Sequence, residues 1–313
     1  MTDGQKSPET PLPLSIPSWY EASSNPDKYF CMSLLNALYF GTISPFTAAT
    51  ELDAWVRQSS EKALQDLRSN PTLVSLSEDG VVPHKSSPNA SGYIATFFQA
   101  FPWLCEVFAP GSEGQGRVIN FVEELLKLEA HEVPDSLPNP NNLQEVQKIR
   151  IWEKEGYVDA DVFRSYGGKQ TSDNPEGDRE QRSRNYSSTL CRLTMTGFTD
   201  CSFFSGLRDI LPRGKKMLAP THIVKCGVRP ADIGVWLESA AQWVVAKEEA
   251  KWVYERCQKK EKTSKSDPKD VWSMENWNTW KVQFKFYAEH ELVSVKGREI
   301  AKAAMQMMEE TEK

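Results

Sequence analysis

Trp272-Ser-Met-Glu-Asn-Trp277-Asn-Thr-Trp280-Lys-Val-Gln-Phe284-Lys-Phe-Tyr287 decides the fold class of this chain. Trp277, Trp280, Phe284 and Tyr287 are spaced by three, four and three residues, so on a 3.6-residue helix they fall on one face. Ser273 precedes them as an N-cap, its hydroxyl placed to accept from a free amide of the first turn. A strand would send these rings to opposite sides of a sheet. The preceding segment repeats the theme with Trp236, Trp243 and Trp252. Core packing is the first explanation of both sets. A pocket wall is the second, because an indole offers an apolar face and a single donor. On that reading Trp236, Trp243, Trp277 and Trp280 are the ligand-pocket candidates.

Outward from this helix the same periodicity prevails. Helices are expected over 28–40, over 46–68 behind Ser44-Pro45, over 91–109 with a kink before Pro102, and over 117–128. Ser44 caps the free amides there, and Pro45 fits the first turn, where its missing N–H is not needed. Residues 69–90 read as a surface loop and 133–142, with three prolines, as a break. Further helices are expected at 143–155, 185–196 and 200–211, then a long one from Pro230 to about 258. A charged excursion over 164–184 and a Lys/Ser/Asp linker over 259–271 separate them, and a last helix runs over 295–311. No long segment alternates with period two. The expected fold is all-α: one multi-helix domain over 26–311, an irregular bundle or helical-repeat-like array with little or no sheet. A disordered leader occupies 1–25, and a division into two lobes would fall near 130–142.

The chain has 313 residues, 39% hydrophobic and 26% charged, with ten tryptophans and fourteen phenylalanines. That is a soluble composition with a large aromatic supply for its core. The net charge of −6 argues against nucleic acid and anionic membrane surfaces, which favour a basic face. The N-terminal stretch lacks the apolar run of a secretory signal, and no window approaches a membrane span. A cytoplasmic location is expected, with six scattered cysteines read as reduced thiols.

Chemistry-bearing motifs are scarce. The four histidines (His84, His131, His222, His290) lack zinc spacing; Cys226 follows His222 by one turn but supplies two ligands where a site needs three or more. No metal or cofactor is expected. There is no nucleophile elbow and no paired-aspartate motif. A Cys–His pair assembled in space stays open, beside the simpler reading of buried thiols. Gly111-Ser-Glu-Gly114-Gln-Gly116 faces a helix start, where anions bind, but Glu113 and the absence of a preceding strand favour a plain turn. Arg213-Gly-Lys215-Lys216 and Lys259-Lys260-Glu-Lys262 read as solvated faces.

Three segments carry a family resemblance: Arg192-Leu-Thr-Met-Thr-Gly-Phe-Thr-Asp-Cys-Ser-Phe-Phe-Ser-Gly-Leu-Arg208-Asp-Ile-Leu, then Asp232-Ile-Gly-Val-Trp236-Leu-Glu-Ser-Ala-Ala, then the Trp272–Lys281 run. In order and spacing, over about 190–290, they resemble the fungal domain of unknown function 3632 family. The chain departs at Arg208-Asp-Ile-Leu-Pro212, where members continue a helix with acidic residues. The resemblance implies a fungal, mostly helical, intracellular protein and supplies no catalytic residues. Some members look like passengers of specialised-metabolite gene clusters. The first expectation is therefore a part in specialised (secondary) metabolite biosynthesis, as enzyme or accessory, with a small-molecule partner. The alternative is a non-catalytic scaffold binding a protein through an exposed aromatic groove. The third is an aminoacyl-tRNA-dependent cyclic dipeptide synthase-like activity. Beside the resemblance segments, Arg208, Asp209 and Glu238 are the catalytic candidates, offering cation, acid and base roles; helix-surface charge pairing is their simpler explanation.

Overall fold

The computed structural model describes residues 14, 26–70, 87–136, 145–153, 163, 179–211, 230–259, 271–291 and 293–313, with the backbone alone at 179 and 230–235. Among them are nine α-helices and one two-stranded antiparallel ribbon: α1 Pro26–Phe40, α2 Pro45–Ser69, α3 Ala90–Val107, α4 Glu113–Lys127, β1 His131–Ser136, β2 Gln147–Ile151, α5 Arg179–Thr196, α6 Pro230–Ala241, α7 Lys247–Gln258, α8 Met274–Glu289 and α9 Val295–Thr311. The all-α expectation holds. The expected leader, apart from Leu14, lies outside the described residues, as do 71–86 of the expected loop, 164–178 of the excursion and 260–270 of the linker.

The chain divides into two compact units, interleaved in sequence: Pro17–Leu104 with Gly116–Val162, and Met1–Ile16 with Cys105–Gln115 and Phe163–Lys313. In the first of these, Leu34, Leu35 and Leu38 of α1, Leu52 and Val56 of α2, Phe97, Phe98 and Phe101 of α3 and Phe121 of α4 are buried. Phe121 lies 5.6 Å from Phe97 and 5.9 Å from Phe101, ring centre to ring centre. Ser44 caps α2 as expected, accepting from the Thr47 amide at 3.0 Å. The α1 end is closed by Arg117, which donates to the Leu38 and Tyr39 carbonyls at 3.3 and 3.2 Å. Gly41 turns the chain there with φ +67, and a Cβ at that position would come within 3.1 Å of the Arg117 guanidinium. The positive φ favours glycine there, and any larger residue would also crowd the Arg117 side chain.

The helix expected over 143–155 is corrected: Gln147–Ile151 is a strand, pairing His131 with Ile151 and Val133 with Ile149. Ile149 and Ile151 are β-branched and alternate with polar residues, which suits half-buried ribbon better than helix. The break expected over 133–142 correspondingly begins as strand. Trp152, buried with φ +62, leaves the ribbon in the left-handed region. Its indole donates to Asp53 Oδ1 at 2.6 Å, a bond that helps to hold this sparsely populated conformation.

The other unit is built on tryptophan. Ser273 caps α8, accepting from the Asn276 amide at 3.1 Å, and Trp277, Trp280, Phe284 and Tyr287 are all buried. Trp272 lies 5.8 Å from Trp243, 5.6 Å from Trp252 and 6.2 Å from Trp280, joining the turn after α6 with α7 and α8 around one aromatic cluster. Two more expectations are corrected here. The long helix from Pro230 is two helices, because Trp243, Val244 and Val245 donate back to Ala240 and Ala241 in tight turns before Ala246 extends. The helix expected over 200–211 is a pair of 3₁₀ turns, Ser202–Phe204 and Gly206–Arg208. Serine and glycine favour such turns over helix. Gly206 also lets the turn touch α6: a Cβ there would stand 2.6 Å from the Ala240 nitrogen.

Candidate functional site

The candidate site grows from a helix whose composition and burial disagree. Helix α5 reads Arg-Glu-Gln-Arg182-Ser-Arg-Asn185-Tyr-Ser187-Ser-Thr189-Leu-Cys-Arg192-Leu-Thr194-Met-Thr, with few apolar residues. Yet Arg182, Ser183, Asn185, Ser187, Ser188, Thr189 and Thr194 are all buried. Buried polar groups need partners, and α5 has them on two sides.

On one side it completes the end of α3, whose last carbonyls have no partner within their own helix. Thr189 donates to the Cys105 carbonyl at 2.9 Å, Asn185 Nδ2 to that of Glu106 at 2.9 Å, and the Leu14 amide to that of Val107 at 3.0 Å. Gln115 Nε2 donates to Ser188 and Thr189 at 3.0 and 3.2 Å. Arg182 Nη1 donates to the Glu106 carboxylate at 2.7 Å, with the two side chains 4% and 0% exposed. At such burial the pair is held by its geometry, because desolvation offsets much of the Coulomb gain.

On the other side α5 faces α6. Ser187 donates to the Ser239 carbonyl at 2.7 Å and accepts from the Trp243 indole at 3.1 Å. The Ser183 and Ser239 hydroxyls are 2.6 Å apart. Glu238, the residue before Ser239, is 2% exposed. Lys296 of α9 places Nζ 3.2 Å from Glu238 Oε1 and 3.3 Å from Glu180 Oε2. Farther along α5, Arg192 Nε donates to Glu249 of α7 at 2.9 Å. The result is a polar seam between α5 and α6, inside an otherwise aromatic unit, ending in three charged side chains.

Of the residues singled out from the sequence, Glu238 and Trp243 belong to this seam. Trp277 and Trp280 are fully buried, their indoles donating to Glu312 Oε1 at 2.6 Å and the Leu207 carbonyl at 2.9 Å. Trp236 is partly exposed on α6. Arg208 lies over the Phe203 ring at 4.0 Å, and both it and Asp209 face solvent. Sequence reasoning missed Glu106, Arg182, Asn185, Glu180 and Lys296. The available signal was the near absence of an apolar stripe over 179–196, the helix that leads into the first resembling segment.

The thiols of the described cysteines are poor nucleophiles. Burial pushes Cys31, Cys201 and Cys257 up to about 12, and Cys105 and Cys191 well above the usual thiol range. Burial likewise raises the Tyr186 phenol, which donates to the Phe163 carbonyl at 2.8 Å. Among the described residues no group of three or more His, Cys, Asp or Glu side chains is arranged to hold a metal ion. No described helix is long and apolar enough to cross a membrane.

Residues 101–284, more than half of the chain, match the model of a family described as "Protein of unknown function (DUF3632)". No curated protein and no solved structure matches. The matched span takes in Glu106, all of α5 and α6, and the Trp272–Phe284 stretch.

Proposed function

From a chain that belongs to the DUF3632 family of proteins of unknown function, we propose a role in fungal specialised-metabolite biosynthesis, as a soluble, cytoplasmic enzyme or accessory that handles a small polar molecule at the α5–α6 seam. The observation that supports this is the concentration of buried polar side chains on α5, with Glu238 and Lys296 at the seam's end. A helix serving only as core filler is cheaper to build from apolar residues. Carboxylate, ammonium and hydroxyl groups collected in one place are the ordinary means of orienting a polar ligand. The protein-scaffold alternative expects an exposed aromatic groove, and Trp277, Trp280 and Phe284, being buried, do not supply one. The test is untargeted mass spectrometry of metabolites from a deletion strain beside its parent. One accumulated intermediate with one lost product supports the biosynthetic role. An unchanged profile under several growth conditions overturns it and turns attention to protein partners.

A further inference from the structure

Among the described residues Glu238 is an acid without a hydrogen bond. Neither carboxylate oxygen has a hydrogen-bond partner among the described residues, although the residue is 2% exposed. Lys296 Nζ stands 3.2 Å from Oε1, close enough for an ion pair but outside hydrogen-bond alignment. The same ammonium is 3.3 Å from Oε2 of Glu180. One cation is thus divided between two carboxylates, and Oε2 of Glu238 is left unanswered. Such a group is costly to keep in a fold, and a neutral residue of the same shape avoids the cost. Lys296 is also half exposed, on a flexible four-carbon stem, so it can leave Glu238 while staying paired with Glu180.

We propose that Glu238 anchors a binding site for a small primary amine, with Lys296 standing in for the ligand's ammonium when the site is empty. The charges set the ligand class. Two carboxylates face one ammonium, so the cluster carries a net negative charge, which favours a cation and repels an anion. An alkylammonium brings three N–H donors to an oxygen that has none. Ser239, the next residue of α6, has its hydroxyl 2.6 Å from that of Ser183, so hydroxyl donors and acceptors lie within one residue of Glu238 along the helix. This proposal rests on the reading of the α5–α6 seam as a small-molecule site and names the chemistry of its ligand.

The test is chemical rescue with n-butylamine. Lys296→Ala leaves the buried carboxylate without its cation and lowers the melting temperature. Added n-butylammonium chloride restores it saturably, whereas tetramethylammonium, which has no N–H, and sodium chloride do not. The wild-type protein binds the same probe roughly tenfold more weakly, because its tethered ammonium competes at high effective concentration. Glu238→Gln abolishes the response in both backgrounds, and Glu180→Gln keeps it. If Lys296→Ala does not fold, Lys296→Met carries the same test. A folded Lys296 variant that n-butylamine does not stabilise overturns the proposal, as does equal stabilisation of its Glu238→Gln counterpart. Failure of rescue leaves the metabolite comparison standing. Successful rescue with an unchanged metabolite profile removes the biosynthetic role and keeps the amine site.

Discussion

Arg182→Met is the sharpest test of how the seam is held. Methionine roughly fills the space of the arginine stem and carries no charge. The Glu106 carboxylate, 0% exposed, then loses the guanidinium that donates to it at 2.7 Å. Breaking a buried pair from one side costs about 3–5 kcal/mol, because the remaining charge stays desolvated. That is a large share of the roughly 5–15 kcal/mol that stabilises an ordinary domain. Replacing both partners, Glu106→Gln with Arg182→Met, removes the buried charge as well and should recover at least about 1–2 kcal/mol of the loss. Urea unfolding measures both, followed separately by far-UV circular dichroism and tryptophan fluorescence. Two probes are needed because the chain has two compact units, and their transitions need not coincide. The reasoning is refuted if Arg182→Met costs less than about 1 kcal/mol, or if the double variant is as unstable as the single one.

Four further outcomes follow from the structure. Gly206→Ala should cost about 1–3 kcal/mol by overpacking, since its Cβ would meet the Ala240 nitrogen at 2.6 Å and the Ser239 Cβ at 2.7 Å; a thermal melt unchanged from wild type would contradict this close approach. Trp280→Phe strands the buried Leu207 carbonyl and should cost about 1–3 kcal/mol from that alone, with a cavity added, read from the urea midpoint. The buried thiols should resist alkylation at pH 8 in the native protein and react once urea unfolds it, resolved cysteine by cysteine by mass spectrometry. Their folded values are raised, so the stability they contribute is present below the ordinary thiol range and lost as pH climbs from there toward about 12. Glu312 has the opposite sign. Desolvation raises it, but hydrogen bonds from Lys281 and Trp277 outweigh that and hold it below the usual carboxylate value. Its stabilisation is present above the unfolded value and lost as pH falls through the lowered folded one. Acid should therefore loosen the C-terminal end of α9 and change Trp277 emission, and Glu312→Gln should lack that response.

What could be read from the sequence followed local rules. Ser273 and Ser44 cap the helices they precede, and α9 runs over the residues its pattern marked. Two of the departures arose where a local rule gave way to a partner elsewhere in the chain. Gln147–Ile151 became a strand because His131–Ser136 was there to pair with it. Residues 202–208 became 3₁₀ turns, with Gly206 set against the α6 backbone. The site failed for a related reason. Glu238 was picked out for its place in a resembling segment, but its burial and its shared lysine depend on α5 and α9, 58 residues away along the chain in the case of Glu238 and Lys296.

Helical class, the aromatic face of α8 and the family were legible along the chain, because periodicity, capping and motif order are properties of neighbours in sequence. The burial of α5, polar by composition, emerges only when the chain is folded. Its serines, threonine, asparagine and arginine gain their partners from the α3 end, from Gln115 and from α6. Hydrogen-bond satisfaction is a property of the folded arrangement, and a one-dimensional pattern of polar residues reads as surface until those partners are in place.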